Sequence, residues 1–170
     1  MSVSTHLTPE PERRLWLILE KMTADGERAD WKLFALTALA GAQLAFLGGR
    51  PGAALLALGF LSAALPRGVF AFAPMAGKPG RLPLLDPPPG RPSAADSLIA
   101  ADDVVKYSPT ELVNRLDKYL GGGITATPYY EDLVARMLIA ARVAARKERL
   151  LRGLCFLVGA AQLDLFVRLF

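Results

Sequence analysis

The chain has almost none of the residues from which most enzyme sites are made. Among its 170 residues there is one cysteine and one histidine. Cys155 alone forms no internal disulfide, so nothing points to an oxidising compartment. His6 and Cys155 together exclude a metal centre built from those residue types, and they argue against a Ser-His or Cys-His nucleophilic pair. Charge is missing over long stretches. Leu33 to Leu47 carries none, and neither does Ala53 to Leu65. These runs also hold no histidine and no pair of acids, which leaves an intramembrane enzyme without its chemistry. We therefore expect no catalytic residue, no cofactor and no metal, and read the chain as a non-enzyme. A secretory signal is not expected either: the first fourteen residues are polar, and the first apolar run starts late without a small-residue cleavage pattern.

What is present is apolar and unevenly placed. Apolar residues make up 52% of the chain, and the mean hydropathy is +0.30. The two uncharged runs lie back to back, parted only by Gly48-Gly49-Arg50-Pro51-Gly52, and a third run, Gly153 to Phe170, closes the sequence. A spanning helix takes roughly 20 apolar residues. Trp31 to Gly49 meets this with Lys32 reaching to the interface, and Ala53 to Phe72 meets it with Pro66 and Arg67 near the inner surface. Both are apolar on all faces, unlike the helix of a water-facing domain. Their many alanines and glycines allow close helix approach in lipid, so a self-associating transmembrane hairpin is expected. In the third run Asp164 and Arg168 sit at helical spacing, either as a functional intramembrane pair or as partners of each other near the outer surface.

Positive charge sets the orientation. Arg13, Arg14, Lys21, Arg28 and Lys32 precede the first run; Arg67, Lys78 and Arg81 follow the second; Arg142, Arg146, Lys147, Arg149 and Arg152 precede the third. The far side holds only Arg50 and Arg168. The N-terminus and the middle segment are then cytoplasmic, in a multi-pass protein of a bacterial inner membrane. This topology accounts for the net charge of +4 without any nucleic-acid partner.

The remaining sequence reads as helices in water. Residues 8–31 suit an amphipathic helix, with Thr8 as N-cap, Pro9 in the first turn and a stripe of Leu15, Ile18, Leu19 and Met22. Residues 74–92 hold seven prolines (Pro74, Pro79, Pro83, Pro87, Pro88, Pro89, Pro92) and predict an extended spacer. Ser108-Pro109-Thr110-Glu111 is a capping box, and Leu112, Leu116 and Leu120 mark the buried side of the helix that follows. Gly121-Gly122-Gly123 stops that helix; no Lys-Ser/Thr follows to make a phosphate loop. Thr127-Pro128 starts another, striped by Leu133, Met137, Ala141, Ala144 and Leu151, with no breaker before Gly153. It should run to about Phe166, roughly 60 Å, and enter the membrane directly. The expected fold is all-α: a cytosolic amphipathic helix (1–31), a transmembrane hairpin (32–72), a Pro-rich connector and extended segment (73–107), a cytosolic helical part (108–152) and a C-terminal transmembrane helix (153–170).

The order of these features resembles a known family. Asp30-Trp31-Lys32 opens a first span; a short hairpin and a second span ending near Pro66 follow. Then come Ser108-Pro109-Thr110-Glu111-Leu112, Tyr129-Tyr130-Glu131-Asp132-Leu133, and Arg142 to Arg152 running into a last apolar helix. This resembles the Pycsar transmembrane effectors of bacterial antiphage defence, over about residues 24–170. The resemblance implies an effector that senses a cyclic pyrimidine mononucleotide, cyclic CMP or cyclic UMP, made by a partner cyclase. It implies that the effector then impairs the inner membrane so that infection is aborted, and a homo-oligomer is expected. Two alternatives stay open: a membrane effector of a cyclic-oligonucleotide defence system, and a non-enzymatic membrane-anchored scaffold.

Eight residues are candidates for ligand binding or coupling. Asp30 and Lys32 either couple the cytosolic part to the first span or serve as a polar flank and an interfacial anchor. Lys147, Arg149 and Arg152 either hold a cyclic phosphate or anchor at the inner surface. Tyr129 and Tyr130, with Tyr107, either stack on a base or pack in a core. Arg136 is a further phosphate candidate.

Overall fold

The computed structural model describes residues 11–49, 54–72, 90–120 and 128–169. Five helices account for nearly all of these: α1 (Pro11–Gly48), α2 (Leu55–Ala71), α3 (Ala101–Val104), α4 (Pro109–Leu120) and α5 (Pro128–Leu169). No strand occurs among the described residues, so the fold is all-α as expected. The Thr8 cap, the hairpin link from residue 50 to 53, the connector over 73–89 and the triple glycine lie outside the described residues.

The chain divides into two compact units. The first takes in Met1–Gly26 and Lys78–Ala145, the second Glu27–Gly77 and Arg146–Phe170. Helices α1 and α5 each give residues to both. The stretch expected as a separate amphipathic helix up to residue 31 is the start of a 38-residue helix, because no breaker stands between it and the apolar run: Gly26 is taken into α1. Gly153 likewise fails to interrupt α5, which runs for 42 residues.

The first unit packs like a domain in water. One stripe of α1 (Leu15, Ile18, Met22) meets Leu112 and Leu116 of α4 and Tyr130, Leu133, Val134, Met137, Leu138 and Ala141 of α5. The spacings of three and four put each set on one helical face. The capping box forms as expected: the Glu111 backbone N–H donates to Ser108 Oγ at 3.3 Å, and Ser108 N–H donates to Glu111 Oε2 at 2.9 Å. One expectation needs correction. Residues 90–107, read as part of an extended segment, fold into turns around α3. Leu98 and Val104 of this stretch are fully buried and anchor it to the core, and proline content alone did not announce them.

The second unit is packed the other way round. Its interior seam is small: Ala54, Ala57, Leu61, Ala64, Gly68 and Ala71 along α2, at alternating steps of three and four. Ala29, Leu33 and Ala40 of α1 and Leu150, Leu154, Val158 and Ala161 of α5 are also buried. The large apolar side chains point outward. Phe34, Phe46, Leu55, Leu56, Phe70, Phe156, Leu163, Phe166 and Val167 are all exposed, Leu55 to 78% and Phe156 to 72%. Water would penalise such a surface, whereas hydrocarbon takes it without cost and rewards small residues at helix contacts. Only 11% of the apolar window of α1 and 22% of that of α5 is buried, and both helices are long and apolar enough to cross a bilayer. With 17 residues, α2 is apolar but shorter. The second unit is therefore the membrane part of the protein.

Two side chains make its helix contacts specific. Gly68 of α2 faces Thr37 of α1, and a Cβ there would overlap the Thr37 hydroxyl oxygen. That hydroxyl donates to the Leu33 carbonyl at 2.7 Å, which satisfies it inside an apolar environment. At the other end of α2 the N-cap is Ala54, which has no side-chain acceptor. Asp164 of α5 supplies one: its Oδ2 accepts from the Ala57 backbone N–H at 3.1 Å. Its other oxygen takes Arg168 Nε at 3.3 Å. Asp164 thus pairs with Arg168 one turn on and also caps a second helix, taking one of the N–H groups that a helix start leaves without a partner.

Candidate functional site

In the first unit the charged residues gather after residue 90. The Lys106 ammonium donates to Asp96 Oδ1 at 2.8 Å and to Asp103 Oδ1 at 2.6 Å. Asp96 Oδ2 also accepts from the Ser93 N–H at 2.7 Å and from the Tyr107 hydroxyl at 3.1 Å. Asp103 takes the Ser97 N–H at 3.0 Å. Hydrogen bonds from Lys106, then from backbone N–H groups, hold both carboxyls below the ordinary aspartate value. The two carboxylates, Asp103 before Asp96, raise Lys106 well above an ordinary lysine. Burial first, then the bond to Asp96, raises Tyr107. The knot fastens a short segment. Every charged member has its partner, so it reads as structure rather than as a site.

The knot makes a pH prediction. Depressed carboxyls contribute stability above their unfolded value and lose it as pH falls through the folded value. The raised Lys106 and Tyr107 contribute below their unfolded values and lose it as pH rises through the folded ones. The first unit should therefore resist urea best between roughly pH 5 and pH 10 and weaken on both sides. A Trp31→Phe variant leaves Trp16, which lies in this unit, as the fluorescent reporter of that midpoint.

The two adjacent tyrosines of α5 have different fates. Tyr130 is 3% exposed and belongs to the core, so its ring has no free face for a base. Tyr129 is exposed, and its hydroxyl accepts from Trp16 Nε1 of α1 at 3.3 Å. Arg136, also exposed, lies two turns further along α5 and so on the same side. Tyr107, the third tyrosine considered for stacking, is buried, with its single O–H shared between the Asp96 carboxylate and the Ser93 carbonyl, 3.0 Å away. Tyr129 and Arg136 are therefore the pair left facing outward in this unit.

In the second unit Asp30 and Lys147 come together. Lys147 Nζ lies 2.6 Å from Asp30 Oδ2, so the two elements of the sequence pattern, 117 residues apart, form one ion pair between α1 and α5. Both are partly shielded. Arg152 bonds Glu148 Oε1 at 2.9 Å on its own helix, in an exposed pair of the kind that contributes little. Arg149 is half-buried and Lys32 is exposed. Arg146 is one of several positive charges before the last apolar run. It is 4% exposed, the one buried charged side chain among the described residues. Its phase was legible, four residues before Leu150 on the buried face of α5. Cys155 is free and exposed, and no cluster of three potential metal ligands occurs among the described residues.

No curated protein and no solved structure matches the chain. The Pycsar effector protein domain matches residues 14–167, which takes in the helices of both units together with the Asp30–Lys147 pair, and the chain therefore belongs to the Pycsar effector family of antiphage defence.

Proposed function

We propose that this protein is a membrane effector whose water-facing unit senses a cyclic pyrimidine mononucleotide from a partner cyclase and whose membrane unit then breaches the inner membrane, aborting infection. The observation that carries the reading is the contrast between the two units: one has an ordinary core, the other has small residues inside and large apolar residues outside, and α1 and α5 give residues to both. A ligand that repacks these helices in the first unit acts on the same rods that build the second. Tyr129 stacks on the base and Arg136 holds the cyclic phosphate, on the exposed side of α5. The protein is no enzyme; it works by shifting a population between a tight and a leaky form. Its N-terminus and middle segment are cytoplasmic, it crosses the membrane more than once, and it acts as a homo-oligomer.

Asp30 and Lys147 belong to the tight form, and the leaky form parts them. Dye-loaded liposomes carrying the full chain test this. Cyclic CMP or cyclic UMP should release dye, and cyclic oligonucleotides should not; the reverse result would select the cyclic-oligonucleotide alternative. Tyr129→Ala and Arg136→Ala should abolish the response. Asp30→Ala should leak without ligand, with basal release up on the order of tenfold for a coupling of this kind. The swap Asp30→Lys with Lys147→Asp should restore tightness. Dye retention under every nucleotide would return the protein to a passive scaffold.

A further inference from the structure

Arg67 sits where a guanidinium needs a reason to sit. It lies near the end of α2, and its head group rests on the backbone of α5 at Gly153, so closely that any Cβ at 153 would overlap it. A glycine inside a 42-residue helix weakens that helix, and here its lack of a side chain is what admits the arginine. No carboxylate of the described residues pairs with Arg67, and Arg67 is exposed. Arg149 stands one turn before Gly153 on α5, half-buried and engaged in an interaction of its own. Arg67 is thus a cation that no carboxylate of the described residues answers.

The depth of the place says what the anion is. On α2 the uncharged run ends at Leu65, and Pro66-Arg67 follow. On α5 the charged run ends at Arg152, and Gly153-Leu154 open the apolar one. Arg67 meets Gly153, so this one charge near the end of α2 lies level with the point where α5 turns from charged to apolar. On α1 the change comes at Lys32 to Leu33, about one turn before Thr37, which Gly68 meets, and exposed Trp31 beside it stacks on Phe34 with ring centroids 5.9 Å apart. A long arginine stem within a turn of these boundaries reaches the lipid phosphates. A planar guanidinium there matches a phosphodiester oxygen pair.

We infer that Arg67, seated on Gly153, is a binding site for the phosphodiester headgroup of an anionic phospholipid of the inner leaflet. The site belongs to the membrane unit at rest and is separate from the nucleotide response, so its test uses no nucleotide signal. The full chain in zwitterionic detergent is offered equal amounts of dioleoyl phosphatidylglycerol and dioleoyl phosphatidylcholine, and bound lipid is counted by native mass spectrometry. The wild type should retain phosphatidylglycerol preferentially. Arg67→Gln should reduce that preference at least fivefold. Gly153→Ala should do the same while leaving every charge in place, and Gly159→Ala, where a Cβ meets nothing within 4 Å, should not. Should Gly153→Ala fail to fold, Arg67→Gln carries the test alone, since its side chain is exposed. A wild type without preference, or an Arg67→Gln variant that keeps it, overturns the inference. A competition arm separates the two sources of phosphate. Phosphatidylglycerol that stays bound in excess cyclic CMP, cyclic UMP or inorganic phosphate upholds the lipid; displacement by any of them overturns it in favour of a soluble ligand.

Discussion

Leu116→Ala should cost the first unit about 2–5 kcal/mol, the usual range for emptying a fully buried leucine site. Leu116 is 0% exposed and shares its core with Leu15, Met22, Leu112, Val134 and Met137, so the void it leaves has several rigid walls. A single domain holds only about 5–15 kcal/mol in all. The midpoint of urea unfolding, read from Trp16 in the Trp31→Phe background, should therefore fall steeply. Leu163→Ala is the control. That leucine is 68% exposed on the outward face of the membrane unit, and its loss should leave the midpoint unmoved. The same substitution separates the two units functionally. Leu116→Ala should still partition into liposomes, because the apolar outer surface is untouched, but it should lose the nucleotide-dependent release of dye. A Leu116→Ala chain that unfolds no earlier than wild type would mean that this cluster is not the core of the first unit.

Where the sequence spoke clearly, it did so through local chemistry. The Ser108–Glu111 box needs only four consecutive residues, and it forms. The stripe of Leu15, Ile18 and Met22 needs only helical period, and it faces the core. The unbroken α5 follows from the absence of any breaker between Pro128 and Leu169 that a helix cannot absorb. The family, too, was legible from the order of motifs, and residues 14–167 match it.

What stayed hidden depends on partners far along the chain. Asp164 looked like a lone acid with a local arginine. Its second bond goes to the first turn of α2, 107 residues away, and no periodicity reports such a cap. Asp30 and Lys147 each stand out in the order of motifs, but nothing in their spacing joins them. The two tyrosines look alike as stacking candidates, but the phase of Leu133 and Met137 separates them: Tyr130 lies three residues before Leu133 and falls on the buried side, while Tyr129 does not. The turns over 90–107 escaped because an eighteen-residue stretch without helical or strand period gives pattern reasoning nothing to count, and Lys106 with its two aspartates does the fastening instead.

Gly68→Ala should be the most disruptive single methyl in the membrane unit. The added Cβ would overlap Thr37 Oγ1 and would lie 2.8 Å from Cγ2 and 3.0 Å from Cβ of the same residue. Thr37 cannot simply turn aside. It is β-branched, which restricts its χ1 in a helix, and its hydroxyl is engaged with the Leu33 carbonyl at 2.7 Å. The helices α1 and α2 must part instead, and overpacking of this sort costs about 1–3 kcal/mol. Gly59→Ala on the same helix meets nothing within 4 Å, and it should be neutral or stabilising, since alanine is the better helix residue. The opposite signs of two identical substitutions isolate the contact from helix propensity. Thr37→Ala removes Oγ1 and Cγ2 and leaves only the Cβ contact at 3.0 Å, so the double variant Thr37→Ala with Gly68→Ala should recover most of the loss. Trp31, in the membrane unit, reports the transition when the protein is titrated from mild detergent into sodium dodecyl sulfate. Equal midpoints for Gly68→Ala and Gly59→Ala would show that α1 and α2 do not cross at Thr37, and the packing of the membrane unit would have to be redrawn.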